Sequence, residues 1–476
     1  MSNKPLHVVI LAAGKGSRMR SDLPKVLHQI AGKSLLGHVI DSALELNPAQ
    51  IHVVIGHGKD LVIDSFAQHA CNDRLNWVEQ TEQLGTGHAV SQALPFIVSD
   101  AGKDSDSANS SANKSANVLM LTADVPLIRS STLSAMVSAM SSSPLALLTA
   151  LVDDPFGLGR ITRDESAAVS GIVEQKDANS EQRKINEINS GIICADSEQL
   201  KIWLSQVSND NVQQEFYLTD VVGLAYAAGN PIAALHPDSN AEVTGINSRL
   251  QLSQVERLFQ AEQAEQLMNN GVTIMDPARI DLRGDIEVGS DSVIDVNVVL
   301  QGRVRIGRNV TIAPNCIIID SILADNVTVH PNTVIEGSEL GADVNVGPFA
   351  RLRPGTKLAD KVKIGNFVET KNAQLDVGAK VNHLSYVGDA TVGSNTNIGA
   401  GVITCNYDGA NKHKTTIGKD VFVGSNSQLV APVEIEDGAT IGAGSTITTK
   451  VEANKLAISR GKQRQIDGWT RPTKAR

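Results

Sequence analysis

Apolar positions along the chain follow two different periods. Up to residue 236, short runs dense in valine, isoleucine and leucine alternate with stretches of helical spacing. The runs "LHVVILA" (6–12), "IHVVIG" (51–56), "LNWVEQ" (75–80) and "NVLMLT" (117–122) predict short buried strands. Between them, "SLLGHVIDSALEL" (34–46) and "GTGHAVSQAL" (85–94) predict helices. Such alternation implies an α/β head with a mostly parallel sheet and helices on both faces. Ligands of such sheets sit beyond the carboxyl ends of the strands, and Gly14, Gly16 and Asp124 each follow a predicted strand.

From about residue 286 the spacing becomes six. Val288, Ile294, Leu300, Ile306, Ile312 and Ile318 keep it, then Leu323, Val329 and Ile335, then Leu340, Val346, Leu352, Leu358 and Ile364. It returns at Ile417, Val423, Leu429, Ile435, Ile441 and Ile447. Neither a helix nor an ordinary strand has that period; it is the hexapeptide repeat of a parallel β-helix with inward aliphatics. Glycines that follow inward positions, such as Gly307, Gly365, Gly399, Gly424 and Gly442, suit tight corners. About nine coils at ~4.8 Å each predict a rod of roughly 45 Å. The repeat reads as broken at 371–386, which contains "NHLSY", and at 404–416, which contains "TCNYDGANKHK". Between the two halves, 247–269 predicts a connecting helix with Val255, Leu258, Phe259 and Leu267 near one face. The expected divisions are a head (1–246), a linker helix (247–270), the β-helix (271–458) and a basic tail (459–476). The Ser/Ala/Asn tract 101–117 is read as a flexible surface insertion.

Composition changes this picture in three places. Aromatic residues make up only 3%, as a narrow aliphatic prism requires. A net charge of −10 argues against a nucleic-acid binder or a membrane-surface protein, so any phosphate-binding cations are local. Cys71, Cys194, Cys316 and Cys405 form no CxxC pair, and no run approaches membrane length, which suits a cytoplasmic protein with reduced thiols.

The stretch "LAAGKGSRM" (11–19) looks like a phosphate loop, yet two familiar templates fail on it. GxGxxG needs glycine where Met19 stands, and GxxxxGK[ST] has another spacing. What remains is a strand, Gly-x-Gly-x-Arg, and Lys25 behind Pro24. Alone, a glycine turn fits about as well as a phosphate site; Asp124 at the end of a later strand favours the phosphate.

With "LPKVLH", "EQLGTGHA", "GRI", "GIVEQKDA" and "INSGI" before the hexapeptide repeats, the chain resembles the bacterial bifunctional N-acetylglucosamine-1-phosphate uridyltransferase/glucosamine-1-phosphate acetyltransferase family over nearly its whole length. The resemblance implies a Rossmann-like nucleotidyltransferase head, a left-handed β-helix and a homotrimer. In the head, Leu11, Ala12, Ala13 and Gly14 approach the nucleotide, and Arg18 and Lys25 stabilise phosphates. Gln80, Gly85 and Thr86 read uracil; Asp124 and Asn247 hold Mg²⁺; Gly159, Glu174 and Asn189 hold the sugar. UTP and acetyl-CoA are the implied co-substrates.

Acetyl transfer to an amine needs a base, and His383 in the first apparent break is the candidate. The other histidines form no HxH or HExxH pattern. By the resemblance, His383 is the general base, Arg353 and Lys371 bind the sugar phosphate, and Tyr386 and Asn397 bind the sugar. Asn406 and Tyr407 belong to the same pocket, and Ala400, Ser425, Ala443 and Arg460 line the acetyl-CoA site. Cys405 beside it is either an alkylation-sensitive thiol or an inert small residue. The alternative is a single-activity sugar-1-phosphate nucleotidyltransferase whose β-helix is structural or regulatory.

Overall fold

A computed structural model describes residues 4–68, 72–100 and 115–474. The chain divides into two compact units, Met1–Phe259 and Gln260–Arg476. Residues 101–114 of the Ser/Ala/Asn tract and Cys71 lie outside the described residues. The end of that tract is not surface: Ala116 is fully buried, and Asn117 opens a strand.

The head is built on strands β1 (Leu6–Leu11), β2 (Gln50–Ile55), β3 (Leu75–Glu79), β4 (Asn117–Thr122), β5 (Leu145–Leu151), β6 (Arg160–Arg163), β7 (Val169–Val173), β8 (Glu187–Asp196) and β9 (Ile232–Leu235). Their order is β9-β5-β8-β4-β1-β2-β3, with the β6–β7 hairpin attached to β8. The four strands expected from the sequence form the parallel half; β8 and the hairpin run antiparallel. Central strands are apolar on both faces because both are covered. Val8 and Ile10 pack with helices α1 (Leu35–Leu44) and α4 (Ser130–Ala139). Val9 faces α3 (Thr86–Asp100), α5 (Ser197–Leu204) and α6 (Asp220–Ala227); α2 is Lys59–Phe66. The connecting helix α7 runs Arg249–Asn269. Val255 is buried with Phe259 against it, and Ala264 belongs to the second unit's core. Leu258, which the spacing grouped with them, is 45% exposed.

In the second unit every inward aliphatic from Ile294 onward is buried, and Val288 is partly so. One wall is an eleven-stranded parallel sheet. The remaining strands form a sheet in which Val298–Ile306, Glu369–Leu375 and Tyr386–Val392 turn a corner and serve two walls. Val293 pairs with Thr311 and Thr311 with Thr328, so one coil takes 17 or 18 residues. The stack is longer than the aliphatic count implied, because its first and last strands, Thr273–Ile274 and Leu456–Ala457, carry little of the repeat.

Only one of the two expected breaks exists. Residues 371–386 keep the coil length: Lys363 pairs with Lys380, Asn366 with His383 and Glu369 with Tyr386. The pattern looked broken because a threonine, Thr370, takes an inward position and bonds Thr356 (Oγ1···Oγ1 3.0 Å). The insertion at 404–416 is real, since Asn397 pairs with Phe422 across it. The corner glycines also act differently from expectation. Asn and Asp take the left-handed corners (Asn297, Asn315, Asn332), stacking their amides Nδ2 to Oδ1 at 2.9 and 3.3 Å. Gly399 is needed for room, because a Cβ there would lie 2.6 Å from Val423 O on the next coil.

Candidate active sites

A cleft of about 430 Å³ opens at the carboxyl ends of the parallel strands. Leu11, Ala12, Ala13, Gly14, Arg18, Lys25, Gln80, Gly85, Thr86, Asp124 and Asn247 all line it. Glycines of the loop are there for different reasons. Gly16 has φ 60°, and a Cβ on it would meet Lys25 Cβ at 2.6 Å. Around Gly14 a Cβ would meet no atom within 4 Å, so the fold does not require glycine there. The open space leaves the backbone there accessible from the cleft.

Asp124 follows β4 by two residues, and Asn247 sits where the turn before α7 is tied back by Ile246 N–H donating to Asp124 O at 2.9 Å. Lys25 Nζ donates to Asp124 Oδ2 and, at 2.8 Å, to Asn247 Oδ1. Two hard oxygens therefore already converge on one cation. That donor set fits Mg²⁺, which takes one or two protein oxygens and completes its shell with water and phosphate. Among the described residues no group of three His, Cys, Asp or Glu could hold a metal without such help.

Segment 211–218, which carried no signal in the sequence, wedges against the Gly85 loop. Phe216 N–H donates to Leu84 O (2.8 Å), Gly87 N–H to Phe216 O (2.8 Å) and Leu218 N–H to Thr86 Oγ1 (3.0 Å). Gly85 (φ 113°) must be glycine for this packing, since a Cβ would lie 2.6 Å from Phe216 O. Glu215 from the same segment lines the cleft. The three expected sugar residues also meet: Asn189 N–H donates to Gly159 O at 2.9 Å, and Glu174 Oε1 is 3.4 Å from a Cβ position on Gly159. Burial pushes the Glu174 carboxyl up, against a hydrogen bond from Thr219, and Asp177, Asp220 and Glu215 push the same way.

The second unit gathers its residues along one corner. Leu384 N–H donates to Asn366 O, Gly401 N–H to His383 O, Asn426 N–H to Ala400 O and Gly444 N–H to Ser425 O. Asn366, His383, Ala400, Ser425 and Ala443 are thus one column on successive coils. Arg460 Nη1 donates to Ala443 O, which brings the tail to its end. His383 is exposed, and its Nδ1 lies 2.8 Å from Asn366 Oδ1. An amide oxygen only accepts, so in the neutral ring Nδ1 carries the proton and Nε2 the lone pair. Asn366 was missed because its partner is one full coil away.

Beside the column, Arg353 Nη1 donates to Glu369 Oε1 at 2.9 Å, and Lys371 stands on the next stretch of the same wall. Lys412, from the inserted loop, crowds Lys371, and with Arg353 pushes its ammonium below the ordinary value. Lys371 and Lys412, beside the Arg353–Glu369 pair, leave an excess of positive charge that suits a phosphate dianion; Lys412 was not expected from the sequence. The loop is shaped by Asp408, which accepts from Asn411 N–H (2.6 Å), His413 Nε2 (2.7 Å) and Ala410 N–H (2.8 Å) and is held well below the usual carboxylate range. Asn406 Nδ2 bonds Asp389 Oδ2 and reaches Tyr386 Oη at 3.5 Å. Tyr407 pairs with Lys412 and is 61% exposed. Asn397 lies on the eleven-stranded wall, beside Lys380 and Phe422. Burial raises the Cys405 thiol, which favours its inert form.

The fold and these sites define a class: a nucleotidyltransferase head joined to a hexapeptide-repeat transferase. Residues 8–176 match the MobA-like NTP transferase domain, 282–375 the GMPPB C-terminal domain and 414–449 the bacterial transferase hexapeptide family of six repeats. The chain is 54% identical over 471 residues to the Bifunctional protein GlmU of Marinobacter nauticus, covering 99% of this chain and 100% of that one. The chain belongs to the GlmU family. Two crystal structures of HddC from Yersinia pseudotuberculosis, one of them complexed with GMP-PN, each match 53% of this chain and 99% of their own at TM-score 0.37, with 19% and 20% identity.

Proposed function

We infer that the protein makes UDP-N-acetylglucosamine in two steps. The second unit acetylates glucosamine-1-phosphate from acetyl-CoA; the head then transfers UMP from UTP to N-acetylglucosamine-1-phosphate, releasing pyrophosphate. The observation that carries this is membership of the GlmU family along the whole chain, with a phosphate cleft in one half and the His383 column in the other. Among the described residues no helix is long and apolar enough to cross a membrane, and the soluble substrates suit the cytoplasm.

In the head, the sugar phosphate oxygen attacks the α-phosphorus of UTP and pyrophosphate leaves. Arg18, Lys25 and the Gly14 backbone stabilise the crowded oxyanions, and Gln80 reads the base. Asp124 and Asn247 would hold Mg²⁺, which would supply further charge neutralisation at the phosphates. Lys25, which in this structure donates to the same two oxygens, lies beside that metal position. Gly159, Glu174 and Asn189 hold the sugar.

On the second unit, His383 Nε2 takes a proton from the substrate amine as the nitrogen attacks the thioester carbonyl; the C–S bond then breaks and CoA departs as thiol. Asn366 holds the imidazole in the required tautomer. Arg353, Lys371 and Lys412 receive the sugar phosphate, with Tyr386, Asn397, Asn406 and Tyr407 around the sugar. The small side chains of Ala400, Ser425 and Ala443 leave a channel for the acyl arm, and Arg460 with the basic tail suits the CoA phosphates. A homotrimer agrees with the next column along, where Phe349, Phe367 and Leu384 replace the corner asparagines. All three are half or more exposed at positive φ, and the two phenylalanine rings stack at 5.2 Å. Bulky residues carry a strain there that burial against a second copy offsets.

The test supplies glucosamine-1-phosphate, acetyl-CoA, UTP and Mg²⁺, and follows CoA and pyrophosphate separately. CoA release followed by pyrophosphate release that depends on acetyl-CoA is expected. Pyrophosphate without CoA would leave a single-activity nucleotidyltransferase.

A further inference from the structure

We propose that His88, together with the Gly85 carbonyl, sets the base specificity of the head by fixing which end of the Gln80 amide faces the nucleotide; the inference rests on Gln80 reading the base. Gln80 follows β3, is 3% exposed and lines the cleft. Its backbone N–H donates to Ile55 O at 2.8 Å. Its Nε2 lies 3.2 Å from Gly85 O and 3.0 Å from His88 Nδ1, so those two acceptors use both amide protons. Gln80 Oε1 accepts no bond among the described residues and is the end left for a ligand.

His88 stands in the first turn of α3, and its Nε2 lies 3.1 Å from Gln92 Nε2 one turn further on, so as placed both ring nitrogens face amide donors and one of the two amides must turn. A neutral imidazole has one donor and one acceptor nitrogen, so the Gln80–His88–Gln92 chain must have a direction. In one direction Gln80 donates to Nδ1, and Nε2–H donates to Gln92 Oε1. In the other, Gln80 Oε1 would face the carbonyl oxygen of Gly85 at 3.2 Å, lone pair against lone pair. Gln92 is half-buried, and turning its amide gives up one long contact with His88 O at 3.3 Å. Gln80 is buried and pinned. The first direction is therefore the stable one, and it presents an acceptor to the cleft.

An acceptor suits uracil, whose N3–H donates. Cytosine N3 carries a lone pair at the same place and meets Oε1 with no proton between them. His88 touches neither base; it is a positioning residue whose tautomer separates UTP from CTP.

The test replaces the ring nitrogen by groups of one polarity. His88→Asp puts only an acceptor where Nδ1 stands, whereas His88→Lys and His88→Arg bring only donors. The measurement is kcat/KM for UTP and for CTP with N-acetylglucosamine-1-phosphate and Mg²⁺, alongside thermal unfolding. The two nucleotides carry identical phosphates, so added charge cancels in their ratio. His88→Asp should keep the UTP preference, and each donor variant should reduce it about 10–100-fold. The same ratio in acceptor and donor variants that remain folded overturns the proposal. Gln80→Ala separates the two layers. If it leaves the ratio at the wild-type value, Gln80 does not read the base. If it collapses the ratio while the His88 variants do not differ, only the role of His88 falls.

Discussion

The two units arrange their candidate anion sites in opposite ways. The head forms a cleft where loops from three strand ends and the turn before α7 converge, and Lys25 in it is already tied to two oxygens. The β-helix spreads its groups along an open corner, one residue per coil, with Arg353, Lys371 and Lys412 crowded against one another. Glycine shows the same contrast. Gly14 has empty space around it, whereas a Cβ on Gly365 would overlap the Asn382 carbonyl of the next coil. A cleft leaves room for ligand by opening loops; a solenoid leaves none inside and must do chemistry on its outside.

The largest expected effect tests whether the units are chemically independent. His383→Ala should lower CoA release ~10²–10⁴-fold and leave pyrophosphate release from UTP and N-acetylglucosamine-1-phosphate intact. Asp124→Ala should do the reverse. Equal losses in both assays from either change would break the comparison. A smaller effect is expected at the residue that orients the base: Asn366→Ala should lower kcat for CoA release ~10–100-fold, while Asn366→Asp, which still accepts from Nδ1–H, should retain most of it. If the two variants behave alike, the hydrogen bond does not set the tautomer.

The glycine contrast gives the third. Gly365→Ala should destabilise the β-helix by ~1–3 kcal/mol, seen as a lower unfolding temperature. Gly14→Ala should leave unfolding unchanged and raise KM for UTP. The smallest effect concerns Glu174, whose carboxyl is raised by burial above its unfolded value. Ionisation in the folded state therefore costs stability once pH rises through the folded value. Glu174→Gln should stabilise the head relative to wild type at neutral pH, with the gain vanishing as pH falls below the unfolded carboxylate value. Unfolding temperatures at pH 4 and pH 7 check it; a gain that grows on acidification would reverse the sign.

Much of this could be read from the residues in order. Central strands announce themselves because Val8, Val9 and Ile10 must be apolar on both faces. Inward aliphatics of the solenoid recur because every coil fills the same prism. The reading failed where a polar residue took an inward position, as Thr370 does by bonding Thr356, and so imitated a break. It also failed where a residue's role depends on the neighbouring coil: Asn366 reaches His383 from 17 positions away. Lys412 and the 211–218 wedge lie in segments whose local pattern says only that they are loops.

Sequence alone determined the two architectures, because strand alternation and a six-residue period follow from which side chains must leave water. It also determined that a cationic glycine loop precedes an aspartate at a strand end. Tertiary structure decided which residues share a site: Asn366 with His383, Lys412 with Lys371, Gln80 with His88. Those contacts depend on coil length, loop closure and the direction of hydrogen bonds, none of which leaves a local pattern in the chain.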